Sequence, residues 1–263
     1  MTNNVFITGG SRGIGAAAVW NIENETFVYE HNIDALLAPA SLVKLMTAVC
    51  AYEVLGDRMD ETLTVEYSMI AAASGNQVGY YVGETISIRD LFGGLLTRGA
   101  NDCAYLLAYA ADGGTDAFVA RMNAKAASLG MDATVYKNPT GMNAEGAATT
   151  ARDSIRIAAV FNAIPALTAL SGSVQYEMPA TNKATARIIY NRNALVSRVS
   201  ETGYFDARIT GLNAGSTVES GYYAASAVGS ETLHYVIVVL GAAEVDGKNL
   251  AYTYTSKLAG YAL

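Results

Sequence analysis

Two short apolar stretches, a long helical middle and three longer apolar stretches follow one another along this chain. Residues 17–21 and 26–31 alternate or run apolar around the polar turn Glu23-Asn24-Glu25, which predicts a β-hairpin. Residues 41–55 change to helical spacing through Leu45, Met46, Ala48, Val49 and Tyr52, and the run is too apolar for a surface helix. A short strand is predicted at 62–65, and helices at 86–96 and 102–111. Thr115 starts a further helix that Gly130 stops, Asn138-Pro-Thr-Gly141 is a loop, and 149–164 is an amphipathic helix. From about Gly172 the pattern turns to β, with strands at 207–212, 221–228 and 234–240 and a closing helix over 248–263. Strands at both ends with helices between predict an α/β domain. One antiparallel sheet is built from both chain ends and flanked by helices, with a helical sub-domain inserted at about 62–165.

Composition narrows the class. With 51% apolar and 16% charged residues over 263 positions, the chain is an ordered globular protein with a sizeable core. A net charge of −7 argues against nucleic acid or an anionic membrane surface as partner. No apolar stretch reaches the length of a membrane span, and residues 1–20 lack the basic start and apolar core of a secretory signal. Work outside the cytoplasm would require an export signal that has been removed or replaced. Cys50 and Cys103 sit in apolar helical runs and read as buried free thiols. His31 and His234 stand far apart without a His/Cys/carboxylate cluster, so no metal site is expected.

Candidate chemistry concentrates in Ala38-Pro-Ala-Ser41-Leu-Val-Lys44. A serine on the first turn of a buried helix has a lysine one turn on, on the same face. A serine hydroxyl is a poor nucleophile until a base takes its proton, and an amine whose pKa burial lowers can do so. On its own, Ser-x-x-Lys also describes an N-cap serine followed by a solvated lysine. The apolar helix favours the chemical reading.

Five ordered segments carry a resemblance: Leu37-Ala-Pro-Ala-Ser-Leu-Val-Lys-Leu-Met-Thr47, Leu95-Leu-Thr-Arg-Gly-Ala-Asn-Asp102, Tyr136-Lys-Asn-Pro-Thr-Gly141, Thr149-Thr-Ala-Arg-Asp153 and Thr210-Gly-Leu-Asn-Ala-Gly-Ser-Thr217. Over about residues 16–263 the chain resembles the serine D-alanyl-D-alanine carboxypeptidases, the low-molecular-mass penicillin-binding proteins, and more distantly the class A β-lactamases. The resemblance implies the transpeptidase/β-lactamase-like fold and an acyl-enzyme mechanism on peptidoglycan stem peptides. It also implies acylation by β-lactam antibiotics, an extracytoplasmic site of action and no metal or cofactor. Ser41 would be the acylated nucleophile and Lys44 its base.

The family's second motif, Ser-x-Asn, falls on Gly99-Ala100-Asn101. Asn101 matches, but Gly99 lacks the serine that helps to pass a proton to the leaving amine. The third motif, Lys-Thr-Gly, falls on Asn213-Ala214-Gly215, so two groups that contact the substrate's terminal carboxylate are replaced. Gly215 is kept, and the backbone N–H groups of Ser41 and Ser216 would form the oxyanion hole. In an active branch, Asn213, Thr217 or nearby Arg and Lys side chains would bind the substrate instead. A literal Ser74-Gly75-Asn76 lies upstream of the expected place and reads as a coincidental loop.

Two further readings accompany this one. A catalytically impaired peptidoglycan-binding or penicillin-binding pseudoenzyme of the same fold would account for the altered motifs. Residues 4–16, Asn-Val-Phe-Ile-Thr-Gly-Gly-Ser-Arg-Gly-Ile-Gly-Ala, resemble the opening of short-chain dehydrogenases, which would suit an NAD(P)-dependent oxidoreductase. That reading lacks its context, because the residues after Ala18 form a strand and turn and no lysine has a tyrosine four positions before it. Residues 1–15 are therefore expected to be an ill-packed extension ahead of the first strand.

Overall fold

The computed structural model describes residues 13–199 and 203–263. Strands β1 (Ala16–Asn21) and β2 (Thr26–His31) form the expected hairpin. Helix α1 (Val43–Leu55) follows a 3-10 turn at Ala40–Leu42. Strands β3 (Thr62–Thr64) and β4 (Thr85–Ser87) pair around α2 (Tyr67–Ile70). Then come α3 (Ile88–Gly93), a π turn at Gly94–Arg98, α4 (Asn101–Asp112), α5 (Thr115–Ser128), α6 (Ala151–Asn162) and α7 (Pro165–Ser171). A small hairpin, β5 (Gln175–Met178) with β6 (Arg187–Tyr190), leads to the long strands β7 (Ile209–Thr217), β8 (Gly221–Gly229) and β9 (His234–Ala242). Helix α8 (Leu250–Ala262) ends the chain.

The main sheet has the order β2-β1-β9-β8-β7, with every neighbouring pair antiparallel, as the strand pattern at the two chain ends predicts. Its central strand reads Tyr-Val-Ile-Val-Val-Leu without alternation because helices cover both faces. Val236, Val238 and Leu240 enter the core that holds α1, α4 and α6, whereas Tyr235, Ile237 and Val239 enter the core under α8. The two-residue period of a strand makes that division. β7 is left as an edge strand, running beside the Ala40–Leu42 turn.

Three sequence expectations shift. The described end of the N-terminal extension is packed rather than loose: Ile14 is buried beside α8, and Gly15 N–H donates to Leu240 and Gly241 carbonyls at 3.0 Å. Residues 1–12, with most of the dehydrogenase-like motif, lie outside the described residues. The helix expected from residue 86 begins at Ile88, because Thr85–Ser87 pairs with Thr62–Thr64 and Ser87 Oγ caps Asp90 N–H. The helix expected to reach 164 stops at Asn162, and Pro165, suited to a first helical turn, starts α7 at 104° to α6. Among the described residues no single helix is long and apolar enough to cross a membrane.

Candidate active site

Ser41 sits in the turn before α1, and its neighbour Ala40 has φ of +47°, a left-handed value that costs an alanine about 1–2 kcal/mol. The surroundings impose that turn. Loop 139–141 lies so close that a Cβ on Gly141 would stand 1.8 Å from the Ala40 carbonyl oxygen and 2.8 Å from Ser41 Cα. Only glycine fits there. Asn138 Oδ1 holds the loop by accepting from the N–H groups of Thr140 and Gly141 and from Thr140 Oγ1.

Helix α1 ties to the same loop from below. Thr47 Oγ1 donates to the Pro139 carbonyl at 2.7 Å, and Lys44 Nζ to the Thr140 carbonyl at 2.6 Å. Lys44 is fully buried, and desolvation pulls its pKa down to about 7, with Cys103 opposing weakly. A buried lysine with no carboxylate partner among the described residues is largely neutral at physiological pH, which is what a base for Ser41 requires.

The second wall of the cleft is the π turn and the start of α4. The turn ends at Gly99, whose φ of +71° favours glycine. Asn101 is buried; its Nδ2 donates to the Ser74 carbonyl at 2.6 Å, and its Oδ1 has no partner. Asp102 accepts from the N–H groups of Val78 and Gly79 at 3.1 and 2.8 Å and so anchors the preceding loop. That loop contains Ser74-Gly75-Asn76, and its coincidental reading needs correction. Gly75 and Asn76 line the cleft, Asn76 Nδ2 donates to the Arg98 carbonyl, and Asn76 Oδ1 accepts from Arg192 Nη1 at 3.1 Å. The segment builds the wall beside Asn101.

The third wall is β7. A bulge between Gly211 and Asn213 shifts the register, after which Asn213, Gly215 and Thr217 alternate on one face with Ala214 and Ser216 on the other. Asn213 is buried and its Oδ1 lacks a partner. Opposite Gly215 on β8 stands Tyr223, buried, which lines the cleft with Ser41 and interacts with it electrostatically. Burial raises this phenol's pKa, and the Ser41 contacts pull weakly the other way.

These walls enclose a cleft of about 590 Å³. Ser41, Gly99, Asn101 and the run from Asn213 to Thr217 all line it, while Lys44, three residues on from Ser41, is buried behind it against the Thr140 carbonyl. Sequence reasoning gave no role to Asn76 or Arg98, although both stand in segments it singled out, and it missed Arg192 and Tyr223, which stand in none. Arg98 Nε donates to the Gln77 carbonyl at 2.7 Å, and among the described residues neither Arg98 nor Arg192 is in an ion pair.

An antiparallel sheet sandwiched by helices, with a serine in the turn entering a buried helix and facing its edge strand, is the transpeptidase/β-lactamase-like fold. The family model described as D-alanyl-D-alanine carboxypeptidase matches residues 14–244, and the chain belongs to that family. It is 28% identical over 239 residues to the D-alanyl-D-alanine carboxypeptidase DacF of Bacillus subtilis, covering 88% of this chain and 59% of that protein. It is 33% identical over 177 residues to the D-alanyl-D-alanine carboxypeptidase DacB2 of Mycobacterium tuberculosis, covering 64% and 58%. The chain spans about half to two thirds of the length of the curated relatives it matches. The crystal structure of a D-alanyl-D-alanine carboxypeptidase from Mycobacterium tuberculosis superposes with a TM-score of 0.85 at 25% identity, over 99% of this chain and 95% of that one. Penicillin-binding protein D2 of Listeria monocytogenes in its ampicillin-bound form gives 0.78 at 27% identity, over 95% and 97%.

Proposed function

We propose that this protein is a serine D-alanyl-D-alanine carboxypeptidase that removes the terminal D-alanine from peptidoglycan stem peptides. The observation that supports it most is Lys44, buried without a carboxylate partner and near neutral, one helical turn from Ser41 at the cleft. Lys44 takes the Ser41 proton as Oγ bonds to the carbonyl carbon between the two D-alanines. The backbone N–H groups of Ser41 and Ser216 hold the oxyanion, the carbon–nitrogen bond breaks, and D-alanine leaves. Water then releases the shortened peptide.

The free edge of β7 offers main-chain groups to an extended peptide. Buried Asn101 Oδ1 and Asn213 Oδ1, both without partners among the described residues, stand ready to accept its N–H groups. The terminal carboxylate, deprived of the lysine replaced by Asn213, is met instead by Arg192 and Arg98, cleft guanidiniums outside any ion pair among the described residues. The residues at about 62–165 act as a sub-domain forming the wall opposite β7. β-Lactams acylate the same serine, and the protein works outside the cytoplasm.

The altered residues Gly99 and Asn213-Ala214 also favour a second reading, a penicillin-binding pseudoenzyme with slow or no peptide turnover. Release of D-alanine from a peptide ending in D-alanyl-D-alanine decides between them. Turnover that disappears in Ser41→Ala supports the enzyme. It should also show a KM raised on the order of tenfold to a hundredfold in Arg192→Ala, the size expected for one charged hydrogen bond. No turnover by folded wild type supports the pseudoenzyme.

A further inference from the structure

Acylation of a serine by an amide has a second proton problem: the departing nitrogen must be protonated as the carbon–nitrogen bond breaks. The position that resembles the family's serine donor is Gly99, and a side chain there would meet only Asn76 Nδ2, at 3.6 Å. The other hydroxyls around the cleft narrow the choice. Thr217 Oγ1 donates to Ser220 Oγ at 2.9 Å, and the Tyr222 hydroxyl donates to Glu244 at 2.7 Å. Tyr252 is tied to the Ala194 backbone, and Ser216 points to the face of β7 away from Gly215.

Tyr223 remains, and it is placed on the nucleophile itself. Its cross-strand partner is Gly215, and a Cβ at Gly215 would lie 2.5 Å from the Tyr223 hydroxyl. Glycine at 215 therefore leaves room for the phenol to lie under β7 toward Ser41, with which it interacts. Lys44 Nζ donates to the Thr140 carbonyl, and Tyr223 shares the cleft lining with Ser41 and interacts with it. The phenol keeps its proton at any working pH, because burial raises its pKa.

The geometry points to Tyr223 as the proton donor to the leaving nitrogen, in place of the serine absent at Gly99. The assignment rests on the carboxypeptidase reading. When substrate binds, its carbonyl oxygen takes over the Ser41 backbone N–H, and the phenol is free to turn its O–H to the nitrogen. Ser41 Oγ bonds to the carbonyl carbon and its proton passes to Lys44. The carbon–nitrogen bond breaks, nitrogen takes the Tyr223 proton, and D-alanine leaves as the amine. The phenolate is reprotonated from the Lys44 ammonium, so both groups end as they began and Lys44 is neutral for the deacylating water.

The test compares two substrates with one acyl part, a D-alanyl-D-alanine peptide and the matching thiolester, whose thiolate leaves without a proton. Tyr223→Phe keeps the ring that fills the space beside Gly215 and removes only the hydroxyl. Its acylation rate with the peptide should fall about 100-fold or more, the usual worth of a general acid, while the thiolester rate stays within about threefold. As a second variant, 3-fluorotyrosine at 223 retains the hydroxyl with a more acidic phenol, and should alter the peptide rate and leave the thiolester rate unchanged. Equal losses on both substrates, or an undiminished peptide rate, would overturn the assignment while leaving the carboxypeptidase reading intact. If wild type acylates with neither substrate, that reading fails and the assignment with it.

Discussion

The neutral amine of Lys44 is the feature on which nucleophile activation depends, and pH is its cleanest perturbation. Lys44 has no solvent exposure and, among the described residues, donates to the Thr140 carbonyl at 2.6 Å, so desolvation dominates and sets its pKa at about 7. The neutral form is then ~90% populated at pH 8, ~10% at pH 6 and ~1% at pH 5. Acylation of Ser41 by a fluorescent penicillin, followed by quenched-flow and intact mass between pH 5 and 9, should fall about tenfold per unit below pH 6 and level off above pH 8. A rate that is flat across this range, or that still rises about tenfold per unit up to pH 9, would refute the argument. The same shift has a stability consequence of fixed sign. The unfolded chain keeps the lysine proton up to about pH 10.5 while the folded protein releases it at about 7, so stability rises with pH between these values. Wild type should therefore gain about 2 kcal/mol more than Lys44→Met between pH 7 and 9 in denaturant titrations.

Two structural predictions accompany it. Gly141→Ala forces a Cβ against the Ala40 carbonyl at a φ of +79°, so it should destabilise by about 2–4 kcal/mol in urea titrations and slow Ser41 acylation by displacing loop 139–141. Wild-type stability and rate in that variant would show the loop to be loosely held. Glu84 is fully buried and pairs with Arg187 at 2.6 Å, so Glu84→Ala leaves an uncompensated guanidinium and should cost about 3 kcal/mol by thermal melting. An unchanged melt would mean that the pair does not hold β6 against the segment before β4.

What the sequence disclosed was local or strongly periodic. Ser41 and Lys44 are legible because three residues along one helix fix their relation, and β9 because both its faces are apolar. The start of α3 was not, because Thr85–Ser87 obeys a pairing with Thr62–Thr64 that no helical period reveals. Most of the unread part of the site depends on long-range contact. Arg192 reaches Asn76 across 116 residues, and Tyr223 reaches Ser41 only through the register that sets it opposite Gly215. Ser74-Gly75-Asn76 shows the opposite error: it is displaced from the motif position in sequence, yet Gly75 and Asn76 share the cleft wall with Asn101.

The central claim is that Ser41 is an activated nucleophile, and intact-protein mass spectrometry after incubation with a penicillin tests it most directly. One adduct on wild type, absent from Ser41→Ala, is the result predicted here. No adduct on folded wild type after long incubation would contradict it.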